Sequence, residues 1–171
     1  IKKAIAYLEN TYNTDRNGWF SVPKSVNEYP HAPWWTFDEG KQLTVIDNDW
    51  GNPSAELIGY LYHFKKYLQK LNIKELVDVA INHYNHEADL KSEHEVYCYI
   101  RLYNNLKSKD QSRLEDKISH AVSHLMNPDM DKWTTYVPMP INFVEYDSDN
   151  LFNMHIKDIN KNLDYIMDKL E

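Results

Sequence analysis

His31 lies in the segment Pro30-His31-Ala32-Pro33-Trp34-Trp35, held between two prolines and followed by two indoles. The imidazole suits proton transfer near neutral pH, and the prolines restrict the backbone that carries it. Glu56 follows Asn52-Pro53, in what should be the first turn of a helix, where the helix dipole stabilises a carboxylate. His31 and Glu56 are the candidate catalytic residues, on the expectation that both face one cavity. Trp34 and Trp35 are candidate ligand-binding residues. Two indoles between prolines are costly to leave in water and suit the lid or wall of a concavity. Asp47 and Asp49 are the other ligand-binding candidates, and either could pair with Glu56 as acid and base in glycan chemistry. As a solvated turn they would carry no chemistry. His31 also has a structural reading, in which a ring nitrogen holds a backbone carbonyl of its own loop.

Two further groups of histidines are weaker candidates. His120 and His124 have helical spacing for a metal, but no Glu follows as in a His-Glu-x-x-His site. His83, His86 and Glu87, with His94 and Glu95, could meet across a turn, but His and acids also favour helix ends. No metal and no cofactor are expected. Tyr60, Tyr62, Tyr97, Tyr99 and Tyr103 fall at helical spacing and read as core and rim packing.

Helical periodicity must position these groups. The pattern predicts a helix over about 1–12, with Ile5, Leu8 and Tyr12 on one stripe. Asn52-Pro53 opens the next, as N-cap and first helical residue, and Leu57, Leu61, Phe64 and Leu68 share a face. Asn72 caps a third helix with Leu76, Val79, Ala80 and His83 inward. Ser92-Glu93-His94-Glu95 is a capping box before Val96, Tyr99, Ile100, Tyr103 and Leu106. Asp110 caps a fifth helix carrying Leu114, Ile118, Ala121 and Leu125, and a last helix spans about 151–170. The stretch 13–52 holds three Gly and three Pro and reads as a long ordered loop packed by its own aromatics. Within it, 41–46 is a possible short strand. A second long loop spans 127–150.

The two loops share a pattern. Asn13-Thr14-Asp15-Arg16-Asn17-Gly18-Trp19 aligns without a gap on Asn127-Pro128-Asp129-Met130-Asp131-Lys132-Trp133. Val22-Pro23 and Glu28-Tyr29 then match Val137-Pro138 and Glu145-Tyr146. The expected unit is a helical hairpin of roughly 57 residues, with the motif loop on alternate hairpins. Each Trp would staple consecutive hairpins, its indole N–H finding an acceptor.

The net charge of −7 comes without a basic cluster, which argues against nucleic acid as a partner. The apolar runs are only a few residues long, so no membrane span is expected; nor is a signal peptide. The single Cys98 excludes an internal disulfide and points to the cytoplasm. Both ends fall within helical patterns, so the chain reads as one domain over 1–171, incomplete at both ends. Faces exposed by such truncation could self-associate.

On three pieces, the chain resembles an uncharacterised bacterial family related to the terpenoid cyclase and protein prenyltransferase α/α-toroid superfamily. They are the Asn13 to Trp19 loop, the run Val22-Pro23 with Asn27-Glu28-Tyr29-Pro30-His31-Ala32-Pro33-Trp34-Trp35, and Asn52-Pro53-Ser54-Ala55-Glu56 opening a helix with Gly59. They cover about residues 1–70; beyond residue 90 only general helical repeat character remains. The resemblance implies a toroid of stacked helical hairpins and further repeats outside this chain. It implies no reaction. The Asp-x-Asp-Asp acid of squalene-type cyclases is missing: Asp47-Asn48-Asp49-Trp50, Asp129-Met130-Asp131 and Asp147-Ser148-Asp149 all lack the last carboxylate. Nor is there an Asp, Cys and His zinc set around Cys98 like that of protein prenyltransferases.

The expected fold is all-α: stacked antiparallel helical hairpins forming part of an α/α toroid, with about six main helices and two long aromatic loops. Three functions are compatible with it. One is a toroid that binds or transforms a small apolar, isoprenoid-like ligand in a central concavity. Another is a carbohydrate-active or carbohydrate-binding toroid. The third is a non-catalytic helical scaffold for a protein partner. A dry aromatic cavity would favour the first, paired carboxylates beside an open Trp face the second, and a filled core without a pocket the third.

Overall fold

A computed structural model describes residues 1–86, 91–145 and 148–170. Among them the chain is all-helical, without a strand. Its helices are α1 (Lys2–Thr11), α2 (Gly51–His63), α3 (Ile73–His86), α4 (Glu93–Asn105), α5 (Ser108–Gln111), α6 (Glu115–Leu125) and α7 (Ile156–Asp168). Glu87, Tyr146, Asp147 and Glu171 lie outside the described residues. The stretch 41–46 forms no strand; it holds one end of an isolated bridge between Asp38 and Leu43.

The broadest helix contact is between α2 and α4, with α3 against α2 and α6 against α4. Ala55, Ile58 and Leu61 of α2 meet a core that includes Val96, Tyr99, Ile100 and Leu102 of α4, all buried. Burial of each large aliphatic side chain here contributes about 1.5–3 kcal/mol. Gly59 permits the close approach: a Cβ there would stand 3.0 Å from the Leu102 Cα and 3.2 Å from the Arg101 carbonyl oxygen. Gly51 has the same role at the start of α2, where a Cβ would meet the Tyr99 ring at 2.5 Å.

Several helix boundaries differ from expectation. Asn52 has the extended backbone of a cap (φ −100°, ψ 102°), but its side-chain oxygen faces the Cys98 thiol at 3.8 Å. The buried Glu95 carboxylate instead accepts the Gly51 N–H at 2.7 Å. Ser92 does cap α4, accepting the Glu95 N–H at 3.4 Å, and Asn72 accepts the Lys74 N–H at 3.1 Å before α3. α2 stops at His63 and passes into a 3₁₀ turn at Lys65–Tyr67, so Leu68 is off its stripe. The expected fifth helix is broken into α5 and α6 by a turn at 112–114; Asp110 lies within α5 and pairs with Arg113 at 3.2 Å instead of capping a continuous helix. α7 begins at Ile156, after left-handed backbone at Phe152 and Asn153. In α3, Ile81 and Tyr84 are buried and His83 stacks on Trp50 at 4.5 Å.

Glu9 ties α1 to the segment before α3. Its carboxylate accepts the backbone N–H groups of Gln69, Lys70 and Leu71. Burial works against the ionised form, yet these three donors prevail and hold the carboxyl below its ordinary pKa.

The two motif loops do not share a backbone conformation. In the first, Asn13 and Gly18 exchange both backbone hydrogen bonds, with Asn17 left-handed at φ 53°. In the second, Asn127 donates to the Pro138 carbonyl and Met130–Lys132 form a 3₁₀ turn. Gly18 explains the divergence in part: a Cβ there would stand 2.4 Å from the Ser54 Oγ, and Lys132 occupies the aligned position. The Trp role does recur. Both indoles are buried, Trp19 donating to the Leu8 carbonyl and Trp133 to the Asn127 carbonyl, each at 2.8 Å.

Candidate ligand-binding cleft

The loop around His31 is built by its own side chains. Asn27 pairs its amide with the backbone of Phe37, giving and receiving a 2.9 Å bond. This closes the span between them as a backbone bridge would. Within it, Ala32 is extended and Pro33–Trp35 form one 3₁₀ turn, with Pro33 at its first position. The His31 Nδ1 lies 2.6 Å from the Tyr29 carbonyl oxygen and its Nε2 3.1 Å from the Thr36 hydroxyl. Nδ1 must carry the proton to donate to a carbonyl, so in the neutral ring Nε2 accepts from Thr36. Both nitrogens are occupied, and the ring works as a staple.

Beside this loop is a cleft of about 670 Å³, within the range of small-molecule sites. Trp34, Trp35, Val45 and Ile46 form its apolar wall. Asp49 and Asn52 enter from the start of α2, Ser92 and His94 from the start of α4, and Tyr136 from the second long loop. The His94 Nε2 meets the Tyr136 hydroxyl at 2.7 Å and lies 3.8 Å from the Glu93 carboxylate. The Asp49 carboxylate has no hydrogen bond or ion pair among the described residues. Neither Trp is deeply buried: Trp34 is 55% exposed and Trp35 half-buried, although two indoles are costly to leave in water.

The sequence candidates divide among three places. Trp34, Trp35 and Asp49 come together in the cleft. Asp47 does not join them. Its buried carboxylate accepts the N–H and hydroxyl of Ser21 at 2.8 and 2.9 Å, and those of Thr44 at 2.8 and 2.7 Å. His31 lies outside the cleft lining. Glu56 belongs to a separate ionic chain: it accepts from Arg101 at 2.9 Å and from the Tyr60 hydroxyl at 2.5 Å, while Arg101 also meets Glu145 at 3.1 Å. Burial, then the Glu56 hydrogen bond, pushes the Tyr60 phenol up to about 12.

The expected His31–Glu56 pair is thus committed elsewhere, as is Asp47. Cys98 is 3.6 Å from Glu56. Burial, reinforced by that carboxylate, pushes its thiol well up, which disfavours the thiolate. Among the described residues no three His, Cys, Asp or Glu side chains are grouped to hold a metal. His120 and His124 are exposed neighbours, with His124 Nδ1 turned to the His120 carbonyl at 2.8 Å. No helix among the described residues is long and apolar enough to cross a membrane.

Asn52, Ser92, His94 and Tyr136 were not among the sequence candidates. Ser92 and His94 carried a signal as the capping box, and Asn52 as a helix start. Tyr136 carried none, because its place depends on how the second loop returns to α4. No protein-family model matches the chain, and no curated protein or solved structure matches it.

Proposed function

We propose that the chain is part of an α/α toroid that binds a small ligand with an apolar body in the Trp34–Trp35 cleft. The carrying observation is one concavity lined by two indoles, two aliphatic side chains and several hydrogen-bonding groups. The succession of α2, α4 and α6, with α3 laid on α2, supports the toroid reading, as does the motif resemblance over residues 1–70. The function is binding rather than proton transfer by His31 and Glu56, since those two groups are engaged outside the cleft. Titration with geraniol, a neutral isoprenoid alcohol, should quench tryptophan fluorescence saturably, and Trp35→Ala should abolish the effect. Unsaturable quenching that survives the substitution would end the reading.

A second reading is supported by the open indole of Trp34 beside Asp49, Asn52 and Ser92, a combination suited to stacking and hydrogen-bonding a sugar ring. Saturable quenching by a panel of oligosaccharides, without response to geraniol, would favour it.

A further inference from the structure

Resting on the proposal that this cleft binds a ligand, we infer that the ligand is an organic cation, an amine or quaternary ammonium group on an apolar body, with Asp49 as its counter-ion.

Asp49 is the only acid lining the cleft among the described residues, and no Lys or Arg lines it. A phosphate or diphosphate headgroup would therefore meet a carboxylate and no permanent cation, which argues against an isoprenoid diphosphate. The one imidazole in the lining, His94, has its Nε2 turned to the Tyr136 hydroxyl at 2.7 Å and the Glu93 carboxylate at 3.8 Å. The Asp49 carboxylate is left without an ion pair or hydrogen bond among the described residues, beside an apolar wall.

The aromatic groups point the same way. Indole is the strongest cation–π partner among side chains, and phenol also contributes. Two indoles and the Tyr136 phenol line the same space as the unpaired carboxylate. Trp34 and Tyr136 are both open, at 55% and 81% exposure, so their rings are available to an incoming group. A neutral apolar ligand would use the rings but leave Asp49 desolvated without compensation. A cation uses both. The chain's net charge of −7 also favours the approach of cations over anions.

A matched pair of probes tests this: choline and its uncharged isostere 3,3-dimethylbutan-1-ol, titrated by tryptophan fluorescence and by ligand-observed NMR. Choline should bind at least tenfold more tightly than the alcohol. Asp49→Asn should erase that difference through a fall in choline affinity, and geraniol affinity should rise, since an amide costs less to desolvate than a carboxylate. Equal affinity for both probes overturns the inference, as does a choline preference that survives Asp49→Asn. Because the probe pair is compared first on the unaltered protein, the inference remains testable if the variant folds poorly. Geraniol separates the two readings: binding of geraniol without choline overturns only the cation, and failure of all three overturns the cleft as well.

Discussion

Two parts of the first long loop, close in sequence, have opposite physical characters. Around Trp19 and Asp47 every polar group is answered: the Trp19 backbone N–H meets Ser54 at 3.0 Å, its indole meets Leu8, and Arg16 donates to the Asp47 carbonyl at 2.7 Å. Both side chains are 2% exposed. Around Trp34 and Asp49, an indole lies open and a carboxylate has no partner among the described residues. The first part fastens α1 to α2, and the second faces a cleft. A loop with a saturated knot can hold an unsaturated wall in place, which is how a binding surface is kept on a rigid support. The difference should appear as a separation between substitutions that cost stability and those that cost binding.

The largest effect is expected at Trp19. Trp19→Ala removes a buried indole that packs edge-on to Tyr12 at 5.1 Å and takes from the Leu8 carbonyl its 2.8 Å donor, leaving the Thr11 hydroxyl at 3.4 Å. The loss should be about 3–5 kcal/mol, a fall in Tm of roughly 10 °C. A thermal melt showing less than a third of that would mean that the knot is not what fastens α1.

Asp47→Ala should come next, at about 3 kcal/mol, because four donors lose their acceptor in a buried place. Asp47→Asn should recover part of this, since its single side-chain oxygen still accepts. Chemical denaturation of both variants gives the ranking. A neutral Asp47→Ala would remove the contrast with Asp49, whose replacement is expected to spare stability.

The sequence made much of the frame legible and little of the site. Apolar stripes with Asn72 and Ser92 caps marked α3 and α4, because helix periodicity and capping are local properties. The break between α5 and α6 was hidden, since the apolar stripe of Leu114, Ile118 and Ala121 runs on without a Gly or Pro to mark the turn at 112–114. The repeat between the loops was real in residue type but not in backbone, because Gly18 fits against Ser54 where Lys132 has no such demand. In the cleft, Trp34 and Trp35 come from the Pro-flanked motif and Asp49 from the Asp47-x-Asp49 pair. Asp47 and Asp49 look equivalent in sequence; only the folding of Ser21 and Thr44 onto one of them separates their roles. His94 and Tyr136 meet across 42 residues, and no local pattern announces such a pair.

His31→Ala tests the staple. Two hydrogen bonds at an exposed position should contribute about 1 kcal/mol, a shift of roughly 3 °C in Tm. Geraniol affinity should change by less than about threefold, through slight loosening of the 3₁₀ turn that carries the indoles. A complete loss of binding with an unchanged Tm would return His31 to the site and overturn its structural role.

Trp34→Ala should have the smallest effect on stability and the clearest effect on function. More than half of the indole already faces water, so its removal forfeits little burial, and exposed substitutions usually stay within about 0.5 kcal/mol. The Pro33–Trp35 turn is held by backbone bonds from Trp35 and Thr36 to Ala32 and Pro33, at 2.9 and 3.2 Å, none of which needs the Trp34 ring. Choline and geraniol should each lose at least tenfold in affinity, while Tm moves by no more than about 2 °C. Trp19→Phe on the same protein supplies the opposite pattern, a loss of stability with both ligands still bound. If Trp34→Ala instead unfolds the loop, seen as a large fall in Tm with a gain in protease cleavage near residue 34, then the two parts of the loop share one structural purpose, and the exposed indole is not a binding surface.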